Sequence, residues 1–217
     1  MEFSEIQEQK RTLRTAMRST VKDFMAREPE HARHLAELSA DCLTDIPVYR
    51  SAGLVLAFVS LPQEIDTLPV LERVRADGKL LAVPRIIPDT DEMEFYYLDG
   101  TRPVTAQLAH GAFGIREPLP QLPAVGMTVS EPALMIMPGL AFTADGRRLG
   151  KGRGYYDRWL SRTAAAGGML KLMGLCFPCQ LVPHIPCAAH DVRAQYVLCG
   201  SSCMDCAGSG QRRESAE

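Results

Sequence analysis

The segment RRLGKGRGYYDRWL, residues 147–160, sets Gly150, Gly152 and Gly154 among the cations Arg148, Lys151 and Arg153, then runs into Tyr155, Tyr156 and Asp157. Without Cβ atoms, such glycines let successive backbone N–H groups close on an anion. A helix starting near Gly154 would aim its positive dipole end at the same point. With the full charges added, the segment describes a polyphosphate site, although a flexible basic loop would read the same way. The spacing is G-x-G-x-G and no Gly-Lys-Ser/Thr is present, so neither a dinucleotide fingerprint nor a Walker A loop is indicated. Asp157 lies three residues past the last glycine. It suits either a helix-start carboxylate favoured by the dipole or a ligand for Mg2+, a hard ion commonly shared between carboxylates and nucleotide phosphates. Asp191, in AAHDVRAQ, could be its distant partner or an ordinary cap.

Further candidates lie far away in the chain. In PQEIDT, Asp66 suits an N-cap, whereas Glu64 would stand at a strand mouth and could accept hydrogen bonds from an amine or amide-rich ring. Lys10, Arg14, Arg18 and Lys22 recur every four residues, which stacks them in one stripe along a helix, either a solvated face or an anion contact. The spacing C-x3-C-x2-C of Cys199, Cys203 and Cys206 could hold a cluster. Its place in a Gly/Ser-containing end favours incidental thiols in a flexible tail over residues 201–217.

These residues need elements to hold them. Ile6, Leu13, Met17, Val21 and Phe24 predict a first helix over about 4–27, and EPEHARHLAELSADCL predicts a second. Strands are expected at GLVLAFVS, LLAVPRI, MEFYYLDG, ALMIMPGL, LMGLCF and QYVLCG. Helices are expected at DTLPVLERVRADGK and around GYYDRWLSRTAA, and REPLPQLPAVG is expected to be a long surface loop. Strands alternating with crossover helices imply an α/β fold: a three-layer α/β/α sandwich with a mainly parallel sheet, whose ligand crevice lies beyond the carboxyl ends of the strands. The chemically rich segments all follow predicted strands.

Composition is consistent with one domain of about 200 residues. Of the 217 residues, 46% are hydrophobic and 23% charged, the proportions of an ordinary globular chain. A net charge of −2 excludes a generally basic nucleic-acid binder. No apolar run approaches the ~18 residues that span a bilayer, and MEFSEIQEQKR is too polar for a signal peptide, so a cytoplasmic protein is expected. Seven cysteines, an odd number, argue against a disulfide framework.

MPGLAFTADGRRLGKGRGYYDRWL closely resembles the signature of the 5-formyltetrahydrofolate cyclo-ligase family, and KRTLR, SLPQEIDT, LLAVPRI and HDVRAQYV follow in that family's order. The resemblance covers about residues 8–200. It implies a NagB/RpiA/CoA-transferase-like sandwich and ATP- and Mg2+-dependent closure of 5-formyltetrahydrofolate to 5,10-methenyltetrahydrofolate through a phosphorylated formyl group. ATP is then expected on Lys10, Arg11, Thr12, Leu13 and Arg14, and on Arg148, Leu149, Gly150, Lys151, Gly152, Arg153, Gly154, Tyr155 and Tyr156. Mg2+ is expected on Asp157 and Asp191. The folate is expected against Val59 and Glu64, with Lys151, Gly152, Arg153, Gly154 and Tyr155 nearby. Arg148 and Lys151 are the groups expected to stabilise the transferred phosphoryl group, while Arg18 and Lys22 remain surface charge. Gln195 stands where the resemblance implies an acidic residue. A monomer with no nucleic-acid or membrane partner is expected. An ATP-dependent kinase or ligase for another small amide or acid, or a non-catalytic nucleotide-binding module, stays open on these residues.

Overall fold

The computed structural model describes residues 2–206 apart from 112, 113, 115, 127, 128, 130, 131, 167–169, 189 and 190. The chain opens with α1 (Glu2–Arg27), α2 (Pro29–Cys42) and the short α3 (Pro47–Ser51). It then enters the sheet with β1 (Leu54–Ala57), α4 (Leu68–Ala76), β2 (Leu80–Ile86) and β3 (Met93–Tyr97). Two small strands, β4 (Leu108–His110) and β5 (Arg116–Pro118), precede β6 (Ala133–Met137). A hairpin of β7 (Ala141–Phe142) and β8 (Arg148–Leu149) leads to α5 (Tyr155–Ala165), and β9 (Leu170–Leu175), β10 (Tyr196–Cys199) and β11 (Ser202–Asp205) complete the sheet.

The sheet order is β11-β10-β9-β6-β1-β2-β3. Its five inner strands are parallel, and both edge strands, β3 and β11, run antiparallel to their neighbours. Successive strand residues face opposite sides. Val55, Ala57, Leu134 and Ile136 pack with Val21, Leu35, Val70 and Leu71 of the first helical layer, whereas Leu54, Leu56, Met135 and Met137 pack with Trp159 and Leu160 of α5. Burial on both faces is why these strands read as unbroken apolar runs. The expected three-layer sandwich with a mainly parallel sheet is therefore the observed one.

Three expectations need correction. The first strand stops at Ala57, and Phe58 and Val59 turn into a cleft instead of continuing to Ser60. The segment expected as a long loop carries β5 and then runs beside β3, with Tyr97 N–H donating to Pro123 O and Val125 N–H to Phe95 O. The expected tail begins too early: Ser202–Asp205 pair with β10 and place Cys203 and Cys206 against the core, because Gly200, at φ +57, makes the turn back. The remainder of that tail, 207–217, lies outside the described residues. Among the described residues no helix is long and apolar enough to cross a membrane.

Candidate active site

The crevice lies where the parallel sheet predicts it, beyond the carboxyl ends of β6, β1 and β2, as a cleft of about 610 Å³. The loop after β1 brings in Glu64. That loop is clamped by reciprocal bonds between Ser60 and Thr67 (Ser60 N–H to Thr67 Oγ1, 3.0 Å; Thr67 N–H to Ser60 Oγ, 3.2 Å), and Asp66 accepts from Leu68 N–H at the head of α4. Glu64 Oε2 accepts from Leu61 N–H at 2.8 Å, and its Oε1 lies 2.6 Å from Lys151 Nζ.

After β6 the chain turns back through the β7–β8 hairpin. The hairpin pivots on Gly146 at φ +81, where a Cβ would come within 2.0 Å of Ala194 O. It delivers Arg148 to the floor of the cleft. The Arg148 side chain, 5% exposed, meets Asp157 Oδ1 at 2.8 Å and Pro138 O at 3.3 Å, and its guanidinium lies over the Tyr156 ring. Its Nε is buried and lacks a hydrogen-bond partner. Beyond β8, Gly152 (φ +100) and Gly154 (φ +70) adopt the left-handed conformation, and α5 starts immediately afterwards with Asp157 in its first turn.

The third wall is α1. Lys10, almost fully buried, pairs with Asp191 Oδ2 at 2.5 Å, and the same oxygen accepts from Ala188 N–H at 2.6 Å. Arg14 Nε donates to Gly150 O at 3.0 Å, and its guanidinium lies where a Cβ on Gly152 would be 3.5 Å away. Arg18 follows one turn later and also lines the cleft. Burial first, and then the neighbouring Arg18 charge, pull Arg14 below its ordinary value, with Asp191 opposing them. Burial and the Glu64 charge raise the Tyr156 phenol well above its ordinary range, so it is a neutral donor at neutral pH.

Lys10, Arg14, Val59, Glu64, residues 148–157 and Asp191 are thus brought to one cleft. Arg11, Thr12 and Leu13 are not. Arg11 pairs with Glu8 on the solvent side, Thr12 is exposed, and Leu13 packs with Leu140, Leu149 and Ile185, because the α1 face that looks into the cleft carries Gln7, Lys10, Arg14 and Arg18, three or four positions apart. Arg18 is exposed, as expected, but also lines the cleft, whereas Lys22 is exposed and does not. Gln195 takes no part: its Oε1 accepts from Leu172 N–H at 2.6 Å and so extends the sheet beside β9. Among the lining residues that sequence reasoning missed are Gln7, Phe58, Pro84, Ile86, Met93 and Glu117. Pro84 and Ile86 were legible as the carboxyl end of a strand, whereas Glu117 carried no local signal.

The donor set suits a small hard cation. Asp157 and Asp191 both face the cleft, and among the described residues no three His, Cys, Asp or Glu side chains form a cage. An ion held there would complete its shell from water and phosphate oxygens, as Mg2+ does.

The profile of the 5-formyltetrahydrofolate cyclo-ligase family matches residues 6–200. The 5-formyltetrahydrofolate cyclo-ligase of Mus musculus is 28% identical over 152 residues, 69% of this chain and 74% of that protein. That of Mycolicibacterium smegmatis is 32% identical over 150 residues, 68% and 74% of the two chains. The NMR structure of Aquifex aeolicus 5,10-methenyltetrahydrofolate synthetase superposes with a TM-score of 0.71 at 26% identity, covering 89% of this chain and 93% of that one. Sequence and fold agree across the cleft-forming elements, and the chain belongs to the 5-formyltetrahydrofolate cyclo-ligase family.

Proposed function

We propose that this chain closes 5-formyltetrahydrofolate to 5,10-methenyltetrahydrofolate at the expense of ATP, releasing ADP and phosphate. The observation that carries the proposal is the convergence of Lys10–Asp191, Arg148–Asp157 and Lys151–Glu64 with a glycine loop on one cleft. Amide oxygen leaves poorly until it is phosphorylated. In the proposed reaction the formyl oxygen attacks the γ-phosphorus as the bond to ADP breaks; the N10 lone pair then attacks the formyl carbon, phosphate departs with the electrons of its C–O bond, and the N10 proton is lost to phosphate or water. The protein's share of such chemistry is positioning and charge neutralisation.

Each residue has a place in that scheme. Lys10 and Arg14 approach the triphosphate from α1, with Arg18 beyond them, while residues 148–156 wrap it from the opposite wall. Arg148 and Lys151 stabilise the transferred phosphoryl group. Asp157 and Asp191 would hold Mg2+, which supplies charge neutralisation to the phosphate oxygens when bound. Lys10 and Arg148, which now neutralise those carboxylates, would turn to phosphate on binding and leave Asp191 and Asp157 to hold the ion. Val59, Glu64 and residues 151–155 face the folate. Tyr156, kept protonated by burial, donates a hydrogen bond without acting as a base. All these groups come from one chain, and the proposed working form is a cytoplasmic monomer.

The test mixes purified protein with Mg-ATP and 5-formyltetrahydrofolate and follows methenyl absorbance and phosphate together. Equal accumulation of both is expected. ATP binding without methenyl product would transfer the site to another amide or acid, and failure to bind ATP would remove the polyphosphate reading.

A further inference from the structure

Four carboxylates line the cleft: Glu64, Glu117, Asp157 and Asp191. Three are neutralised, by Lys151, Arg148 and Lys10 respectively, at 2.5–2.8 Å. Glu117, on β5 and only 8% exposed, has no such partner among the described residues. Its Oε1 accepts from Ile86 N–H at 3.2 Å, which fixes the carboxylate against the carboxyl end of β2. The strand that carries it is held to β2 by the Arg85 guanidinium donating to Pro118 O. Its Oε2 lies against Gly111, where a Cβ would come within 2.2 Å, so the glycine is what makes room for that oxygen.

A carboxylate held out of water is costly unless donors are supplied to it. Its surroundings in the cleft, Pro84, Ile86 and Met93, offer no side-chain donor and suit the face of a flat ring. The position also bears on what the ring is. Glu64 follows β1, and Ile86 ends β2, one strand further from the glycine loop after β6, so Glu117 stands at the end of the crevice away from the polyphosphate wall.

We propose that Glu117 is a specificity-determining residue that receives the paired N–H donors of a flat heterocycle. In the substrate assigned above these are the 2-amino group and the ring N3–H of the pterin. This assignment rests on the proposed function. Glu117 orients the ring so that its formyl end points towards the phosphoryl group, and takes no part in bond making.

Dissociation constants for 5-formyltetrahydrofolate and for its 2-desamino-2-methyl analogue, measured with wild type and Glu117→Gln in the presence of a non-hydrolysable ATP analogue, test this. Wild type is expected to prefer the 2-amino ligand by on the order of 10- to 100-fold, the range for a bond to a charged group. In Glu117→Gln the preference should shrink to within a few-fold, with KM for the folate raised by a larger factor than kcat falls, since a less well-aimed ring also reacts more slowly, while KM for ATP holds. Glu117→Ala, which cannot accept at all, should lose the preference likewise. An undiminished preference in both variants would overturn this proposal alone. A wild type that binds ATP but not the folate would overturn it together with the functional reading.

Discussion

Asp157 answers two demands. It neutralises Arg148, which is buried far more deeply than Asp157 itself, and it opens α5 where a carboxylate favours the helix dipole. Asp157→Asn keeps the shape and a hydrogen-bond acceptor but removes the charge. Turnover should fall by on the order of 10²-fold and need more Mg2+, and the thermal midpoint should fall as well, because the buried Arg148 loses its counter-charge; titrating Mg2+ against initial rate at a temperature well below that midpoint checks the first. Unchanged metal dependence would take Asp157 out of the proposed metal site. Gly152 is constrained differently. At φ +100 any Cβ is strained by roughly 1–2 kcal/mol, and this one would meet the Arg14 guanidinium. Gly152→Ala is expected to raise KM for ATP several-fold with the fold intact, and a loss in kcat alone would contradict a role in holding the triphosphate.

Elements decide which of those residues meet. The inner strands were legible because burial on both faces leaves an uninterrupted apolar run, and α1 was legible because its apolar positions keep helical spacing. The same spacing separates Lys10, Arg14 and Arg18, which share the inward face, from Arg11 and Thr12, which do not; a contiguous motif blurs that distinction. Two-residue strands such as β7 and β8 carry too few positions for any period, and β11, Ser-Cys-Met-Asp, has no apolar run. Glu117 was illegible for another reason: its value depends on Ile86, 31 positions away in the chain. The β7–β8 hairpin is seated by Phe142, fully buried, whose ring occupies the space a Cβ would need on Gly174 of β9 and on Gly139. Phe142→Ala should cost about 3–5 kcal/mol, and Gly174→Ala about 1–3 kcal/mol by overpacking. Combined, they should cost less than their sum, because the new methyl enters the vacated space. Denaturant midpoints of the three variants measure it; strict additivity would mean that the ring does not seat the hairpin against β9.

Across the whole molecule, burial acts in one direction on several acidic protons. It pushes the Cys203 and Cys206 thiols up to about 11 and raises Cys176, whose shift begins with a hydrogen bond to Cys199. It also raises the Tyr49 phenol, which donates to Asp77 at 2.6 Å. A group whose folded value lies above its unfolded one holds its proton more tightly in the fold. Its contribution is present in full below the unfolded value and is lost as pH rises through the folded one. For the two thiols at the β11 edge that window runs from about 9, the ordinary thiol value, to about 11, and Tyr49 extends the loss beyond 10. Stability to denaturant, measured with reductant present, should therefore be flat from neutral pH to about 8.5 and then decline. Replacing both Cys203 and Cys206 by Ala should lessen the decline between 9 and 11. Tyr49→Phe should cost about 1 kcal/mol at pH 7, from the lost bond to Asp77, and flatten the curve only above 10. If the double alanine variant declines between pH 9 and 11 as steeply as the parent, the thiols are not held protonated by the sheet edge, and β11 is less firmly packed on the core than its pairing with β10 implies.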